Sequence, residues 1–285
     1  MKIILLGSSG QLGKELKKEF KKNIIFLGTS KNINFLNIKK DIKKINKLKF
    51  DILVNAAAYT DVNKAETNKL IATKINSYSL KYISKVCNKK KAKLIHFSTD
   101  YVYSGKKNIL YNETVKSKPI NYYGKTKALG EHYIKKYSSN FLIFRVSYLI
   151  SKNNKNNLIS KIINNIKKNK KIDIVIDQFY VPTSVKFIAD NLHKIIQHPN
   201  FMKTNGIFNL SPEAKNLNLL IYLKKLFKIY KLKENFILNK ISLKEFTIKY
   251  AQSNKPRYSI MNCTKIKKIF NLRLINWKKD LKNVL

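Results

Sequence analysis

The sequence predicts an α/β protein built on a doubly wound parallel sheet, and three observations lead there. Short apolar runs alternate with longer amphipathic stretches through the first half of the chain, which is the pattern of successive βα units. The runs are continuously apolar rather than alternating, as suits strands covered on both faces. Three of only eight glycines fall in one turn directly after the first apolar run.

In chain order, strands are expected at residues 2–6, 24–27, 52–54, 93–97 and 141–144, with helices at 11–20, 61–76, 79–88 and 123–136. After Ser147 the rhythm loosens. A helix is expected at 158–168, a strand at 172–176, a helix at 185–197, a short strand at 206–210, and helices within 217–230 and at 265–270. This second part is too short for another complete doubly wound unit. The expected organisation is therefore a Rossmann-type domain over residues 1–147 and a smaller α/β lobe over 148–285, partly interleaved with it.

At 285 residues, 44% of them hydrophobic, the chain can bury a substantial core without covalent help. Its two cysteines, Cys87 and Cys263, sit in no CxxC or His-rich context, so neither a disulfide framework nor a zinc site is implied. The apolar start at Lys2 to Leu6 stops at Gly7, too soon for a signal peptide. No run approaches the roughly 18 apolar residues of a membrane span, so a soluble, cytoplasmic protein with no membrane partner is expected.

The formal charge of +43 would suggest a nucleic-acid partner. Its make-up argues otherwise. Among 59 basic residues only Arg145, Arg257 and Arg273 are arginine, whereas phosphate and base recognition draws on arginine's planar fork. The lysines are mixed with Asn and Ile throughout, as in Lys152-Asn153-Asn154-Lys155, and biased codon usage accounts for them. No nucleic-acid partner is expected. The scarce acids are then informative: Asp61, Glu66, Asp100, Glu113, Glu131 and Asp177 lie in or beside the segments that follow.

The glycine turn reads Gly7-Ser8-Ser9-Gly10-Gln11-Leu12-Gly13. Glycines there let backbone approach a pyrophosphate, which the free amides of a helix N-terminus bind. At the end of the second strand, where a ribose-binding acid is common, stand Thr29, Ser30 and Lys31. They suit a 2′-phosphate, so NADPH is favoured as cofactor while NADH stays open. After the third strand, Asn55-Ala56-Ala57-Ala58-Tyr59-Thr60-Asp61 offers small residues against which a flat ligand can lie, and Asp61 can cap the next helix. Ala57, Ala58, Tyr59 and Thr60 join the candidate cofactor site. The fourth strand ends in His96-Phe97-Ser98-Thr99-Asp100, hydroxyls and a carboxylate at the sheet edge where such folds bind ligands. His96, inside the strand, is expected to be structural.

Tyr123 and Lys127 are four residues apart, on one helix face. A cation beside a phenol stabilises phenolate, and a tyrosine so placed is a proton donor. The spacing alone means little, since Tyr103/Lys107 and Tyr148/Lys152 share it and roughly three such pairs arise by chance in so lysine-rich a chain. Context separates Tyr123/Lys127: it opens an amphipathic helix and follows the Ser98-Thr99 strand end.

The ordered set of the glycine turn, Val54 to Thr60, Phe97 to Tyr103 and Tyr123 to Glu131 resembles the extended short-chain dehydrogenases/reductases, and within them the dTDP-4-dehydrorhamnose reductase family. Asn63 to Glu66, Phe144 to Ser147, Asp177-Gln178-Phe179 with Pro182-Thr183, and Lys255-Pro256 with Ser259 extend the resemblance nearly end to end. It implies NAD(P)H-dependent reduction of the C4 keto group of a dTDP-4-keto-6-deoxy sugar, made for surface polysaccharide. By resemblance Tyr123 protonates the new alkoxide, Lys127 tunes Tyr123 and holds the nicotinamide ribose, and Thr99 hydrogen-bonds the carbonyl. Asp100 and Tyr148 line the sugar site. A homodimer and a magnesium ion near its contact are further implications, with Glu15 a conceivable ligand, though one carboxylate does not make a hard-cation site. Tyr148 stands where the family usually has Trp, and Tyr180-Val181 where it has small residues. Two alternatives therefore stay open: a reductase or epimerase of another nucleotide sugar, and a non-catalytic subunit like the methionine adenosyltransferase β subunit.

Overall fold

The structure is a computed structural model that describes residues 1–20, 24–27, 33–152, 154, 157–167, 171–231 and 238–284. The chain begins β1 (Ile3–Leu6), α1 (Gln11–Glu19), β2 (Ile24–Leu27), α2 (Ile38–Lys47) and β3 (Ile52–Asn55). Then come α3 (Val62–Thr67), α4 (Lys69–Thr73), a π-helical turn at Lys74–Tyr78, α5 (Ser79–Lys89) and β4 (Lys93–Thr99). Next are α6 (Tyr122–Tyr137), β5 (Phe141–Val146), β6 (Leu149–Ile150), α7 (Leu158–Lys167), β7 (Ile172–Val175), β8 (Thr183–Ser184) and α8 (Val185–Gln197). The chain continues through β9 (Gly206–Asn209), α9 (Leu219–Ile229), β10 (Leu238–Ile241), α10 (Leu243–Lys249), α11 (Thr264–Phe270) and α12 (Trp277–Asp280).

Six strands form one parallel sheet in the order β2-β1-β3-β4-β5-β9. Because β1 pairs with β2 on one side and β3 on the other, the chain winds outward in both directions from the β1/β3 boundary. A crevice at such a switch point, beyond the carboxyl ends of the strands, is where these sheets bind ligands. The alternation of side chains divides the strands between two cores. Ile3, Leu5, Val54, Ile95 and Phe144 pack with α1, α8 and α11, while Ile4, Leu6, Leu53, Leu94 and Ile143 pack with α2, α5 and α6. Both faces are covered, which is why the strands read as unbroken apolar runs.

A third core, including Ile150, Ile174, Leu223 and Trp277, belongs to the second lobe. The two parts share elements: β9 extends the main sheet beside β5, and α8 packs on α1. Among the described residues no helix is long and apolar enough to cross a membrane.

The five expected strands of the first half form within two residues of their expected bounds. The expected helix at 61–76 does not form as one piece. Asn68 ends α3, and the chain then runs from α4 through the π turn into α5 without a gap. The π turn, with its extra residue per turn, turns Asn76 inward. Its amide accepts from Tyr59 N–H at 2.8 Å and donates to Tyr59 C=O at 3.0 Å and to Thr126 Oγ1 at 3.0 Å. Helix α2, two short pairings (β6 with β8, β7 with β10) and α10 and α12 were not expected. The last residue of the expected helix at 158–168 lies outside the described residues.

Candidate active site

A cleft of about 950 Å³ opens over the carboxyl ends of β1, β3, β4 and β5. Gly7, Gly10, Gln11, Leu12, Ala57, Ala58, Thr60, Thr99, Asp100, Tyr123, Lys127 and Tyr148 all line it. Gly13 and Tyr59 do not. Gly13 packs from behind the turn, and the Tyr59 phenol faces away to accept from Asn68 Nδ2 at 3.2 Å. Ser30, with Thr29 and Lys31, lies outside the described residues.

The glycine turn is built by close approach. Gly7 has φ +78°, and a Cβ there would lie 2.5 Å from the Ala57 nitrogen. A Cβ on Gly13 would lie 2.0 Å from the Gly7 carbonyl oxygen. Neither position accepts a side chain, so α1 and the end of β3 are held against the turn backbone-to-backbone. Gly10 N-caps α1 with no side chain to satisfy the first amides, which leaves those N–H groups and the positive end of the helix for an anion. This cradle fits the pyrophosphate of a dinucleotide. Gln11 ties it to the second lobe, donating to Leu149 C=O and accepting from Asn154 Nδ2, both at 3.2 Å.

Helix α6 carries the pair singled out in the sequence. Asn121 caps it by accepting from Gly124 N–H at 2.8 Å, and Glu66 accepts from Tyr122 N–H at 2.7 Å. Lys127 is buried; its Nζ donates to Phe97 C=O at 2.6 Å and lies 3.1 Å from His96 Nε2. Burial lowers the Lys127 ammonium to about 7, against the opposing pull of Glu131. Burial pushes the Tyr123 phenol up to about 12, partly offset by a hydrogen bond with Thr99, while the Asp100 charge adds to the rise. Lys127 is not among the groups that shift Tyr123, and its Nζ is engaged by the β4 backbone and His96.

Thr99 Oγ1 accepts from Tyr101 N–H and donates to Asp100 Oδ1, each at 3.2 Å. The other Asp100 oxygen accepts from Ser147 at 2.9 Å and Ser259 at 2.6 Å. Burial, outweighing these three hydroxyls, raises the Asp100 carboxyl to about 6. Asp100 thus joins the ends of β4 and β5 to the C-terminal segment and holds Thr99 in place. Beyond Asp100, Tyr148 leans on Tyr180, with ring centroids 5.8 Å apart, and Phe179 stacks on Tyr258 at 5.3 Å.

Asn76 and the cleft-lining Asn154, Asn157 and Lys161 were missed in the sequence. No local pattern marks them, since a π turn and an inter-lobe contact leave no periodicity. For a metal, no group of three or more His, Cys, Asp or Glu side chains fit for an ion occurs among the described residues. Glu15 pairs with Lys18 at 3.4 Å.

A doubly wound sheet with a glycine cradle at its switch point, and a tyrosine, lysine and threonine beside it, defines a nicotinamide-dependent oxidoreductase of the short-chain dehydrogenase/reductase kind. The whole chain, residues 1–285, matches the family described as RmlD substrate binding domain. It is 31% identical over 296 residues to the dTDP-4-dehydrorhamnose reductase of Escherichia coli K12, covering 100% of this chain and 97% of that protein. The crystal structure of the Bacillus anthracis dTDP-4-dehydrorhamnose reductase in complex with NADP superposes with a TM-score of 0.90 at 28% identity, covering 100% and 99% of the two chains. The chain belongs to the dTDP-4-dehydrorhamnose reductase family. A Bacillus cereus UDP-glucuronic acid 4-epimerase, TM-score 0.82 at 17% identity over 100% and 98% of the chains, shares the fold.

Proposed function

We propose that this chain reduces the C4 keto group of dTDP-4-dehydro-L-rhamnose to dTDP-L-rhamnose, using NADPH or NADH. The observation that carries the reading is the convergence of Tyr123, Lys127 and Thr99 on the cleft that the glycine cradle opens. Gly7, Gly10 and the first amides of α1 would hold the cofactor pyrophosphate, and Ala57, Ala58 and Thr60 would border the rest of it. Bound there, the cofactor supplies the hydride.

The side chains of this protein do the remainder. The Thr99 hydroxyl, whose one proton points at Asp100 Oδ1 in the free site, turns that proton to the carbonyl oxygen where negative charge develops. Tyr123, kept protonated by burial at neutral pH, gives its proton to the forming alkoxide, so the ketone gains one hydride and one proton. Tyr148, backed by Tyr180, walls the sugar. The buried, uncrosslinked Cys87 and Cys263 suit a reducing cytoplasm. The reading includes a homodimer and no nucleic-acid partner.

The test is to supply dTDP-4-dehydro-L-rhamnose with each reduced cofactor and follow loss of its absorbance. Turnover yielding dTDP-L-rhamnose is expected. A folded protein that turns over only other nucleotide sugars, or none, overturns the reading.

A further inference from the structure

The chain from Ser147 to Leu149, which carries Tyr148 into the cleft, is pinned at three successive residues. Ser147 Oγ donates to Asp100 Oδ2 at 2.9 Å, Tyr148 C=O accepts from Thr183 N–H at 3.0 Å, and Leu149 C=O accepts from Gln11 Nε2 at 3.2 Å. With the main chain held, the freedom left to Tyr148 is the choice of side-chain rotamer. The cleft lies on one side of this half-buried residue. On another lies Tyr180, its ring inclined at 59° with the centroids 5.8 Å apart. Aromatic pairs at about 4.5–7 Å favour such inclined or offset arrangements, so the contact has a preferred geometry.

Tyr180 itself does not line the cleft. It is 8% exposed, and its N–H donates to Leu217 C=O at 3.1 Å. The residues before it are tied to the C-terminal segment. Phe179 N–H donates to Arg257 C=O at 2.6 Å, Phe179 C=O accepts from Ser259 N–H at 2.8 Å, and Gln178 Nε2 donates to Pro256 C=O at 3.1 Å. Ser259 in turn donates to Asp100 at 2.6 Å, the same carboxylate oxygen that holds Ser147. Both tyrosines are therefore carried by segments that meet at Asp100. Burial, with Tyr148 and Asp100 close by, pushes the Tyr180 phenol above its ordinary value, so the ring behind the wall stays neutral.

Resting on the reading of this chain as a reductase with Tyr148 against the sugar, we propose that Tyr180 is a positioning residue that sets the affinity for the sugar. Its ring fills the space behind Tyr148 and holds that side chain in the rotamer that faces the cleft. Without the ring, Tyr148 turns back into the vacated volume, because an unfilled cavity in a close-packed interior is unfavourable. The sugar then loses one wall, while Thr99, Tyr123 and Lys127 keep their places.

Titration calorimetry on the full-length protein tests this with two ligands that differ only in the sugar, dTDP-L-rhamnose and dTDP. Tyr180→Leu is expected to weaken dTDP-L-rhamnose about fivefold, the worth of one aromatic contact, and to leave dTDP and NADPH unchanged. In turnover the loss appears in KM more than in kcat. Tyr180→Phe, which keeps the ring, is expected to restore the affinity. No loss in Tyr180→Leu, or an equal loss for dTDP, overturns the proposal. The crystal structure of Tyr180→Leu without ligand should show the Tyr148 ring turned back from the cleft; a ring still facing the cleft also overturns it. If the leucine variant does not fold, the wild-type complex with dTDP-L-rhamnose decides. Tyr148 is expected between the sugar and Tyr180, and a ring that parts from Tyr180 on binding contradicts the proposal. A wild-type protein that does not bind dTDP-L-rhamnose overturns the reductase reading instead, so the two failures are told apart.

Discussion

Glu131→Gln tests how the walls of the cleft are held together. Glu131 accepts from Arg145 Nε at 3.0 Å and Nη2 at 2.7 Å, and from Ser98 Oγ at 2.6 Å. The two charged side chains are 3% and 4% exposed. Arg145 also donates to Tyr103 Oη at 2.9 Å and Ser117 Oγ at 3.1 Å. One buried pair therefore joins α6, which carries Tyr123 and Lys127, to β4 and β5. Glutamine keeps the volume but removes the countercharge and sets an NH2 group against donors. Breaking a buried pair from one side costs about 3–5 kcal/mol, because the other charge is left uncompensated. Glutamine keeps one accepting oxygen, so about 3 kcal/mol is expected. Against a total of about 5–15 kcal/mol that is a large fraction. Urea unfolding of both proteins, with the slope unchanged and the midpoint lowered, is the assay. A loss below about 1 kcal/mol would mean that the pair is wet or the helix is held elsewhere, and would refute the argument.

Further consequences follow from the turn and from the buried carboxyl. Gly13→Ala forces a methyl into the Gly7 carbonyl and is expected to weaken cofactor binding at least about tenfold, about 1.4 kcal/mol, as read by titration calorimetry; unchanged affinity would show that the turn is not the pyrophosphate cradle. The Asp100 carboxyl is raised from its ordinary 3.8 to about 6 on folding. Between those values the folded state binds more protons than the unfolded one, so this group's contribution to stability falls as pH rises from about 4 to 6. Denaturation midpoints of Asp100→Asn across that window should lack this slope; slopes identical in the two proteins would contradict the burial argument.

Much of this was legible in the sequence because glycine and acid are scarce in it. Against eight glycines, the turn at Gly7, Gly10 and Gly13 stands out, and it forms as expected with α1 behind it. The four-residue spacing of Tyr123 and Lys127 was ambiguous alone, and the strand end at Ser98-Thr99 resolved it. The lysine-rich background hid other elements. Helix α2 buries Ile38 and Ile45, yet its sequence IKKDIKKINK reads as a charge run. Strand β10 is mostly half-exposed or exposed and shows no apolar run, so its pairing with β7 left no local mark. Lys93, at the start of β4, is fully buried with its ammonium donating to Asn140 Oδ1, Met202 C=O and Thr204 C=O. Nothing in the sequence distinguishes it from the exposed lysines. His96 was read as structural; its contact with Lys127 needs β4 and α6 face to face, which only the fold supplies.

The account rests on Tyr123 as the proton donor of a reductive cleft. The most direct measurement compares wild type and Tyr123→Phe for turnover of dTDP-4-dehydro-L-rhamnose at saturating NADPH, with cofactor affinity measured on the same samples. Loss of a general acid lowers the rate by a factor on the order of 100 or more, and the phenyl ring should leave cofactor affinity nearly intact. A Tyr123→Phe protein that binds cofactor and turns over at the wild-type rate would contradict the account.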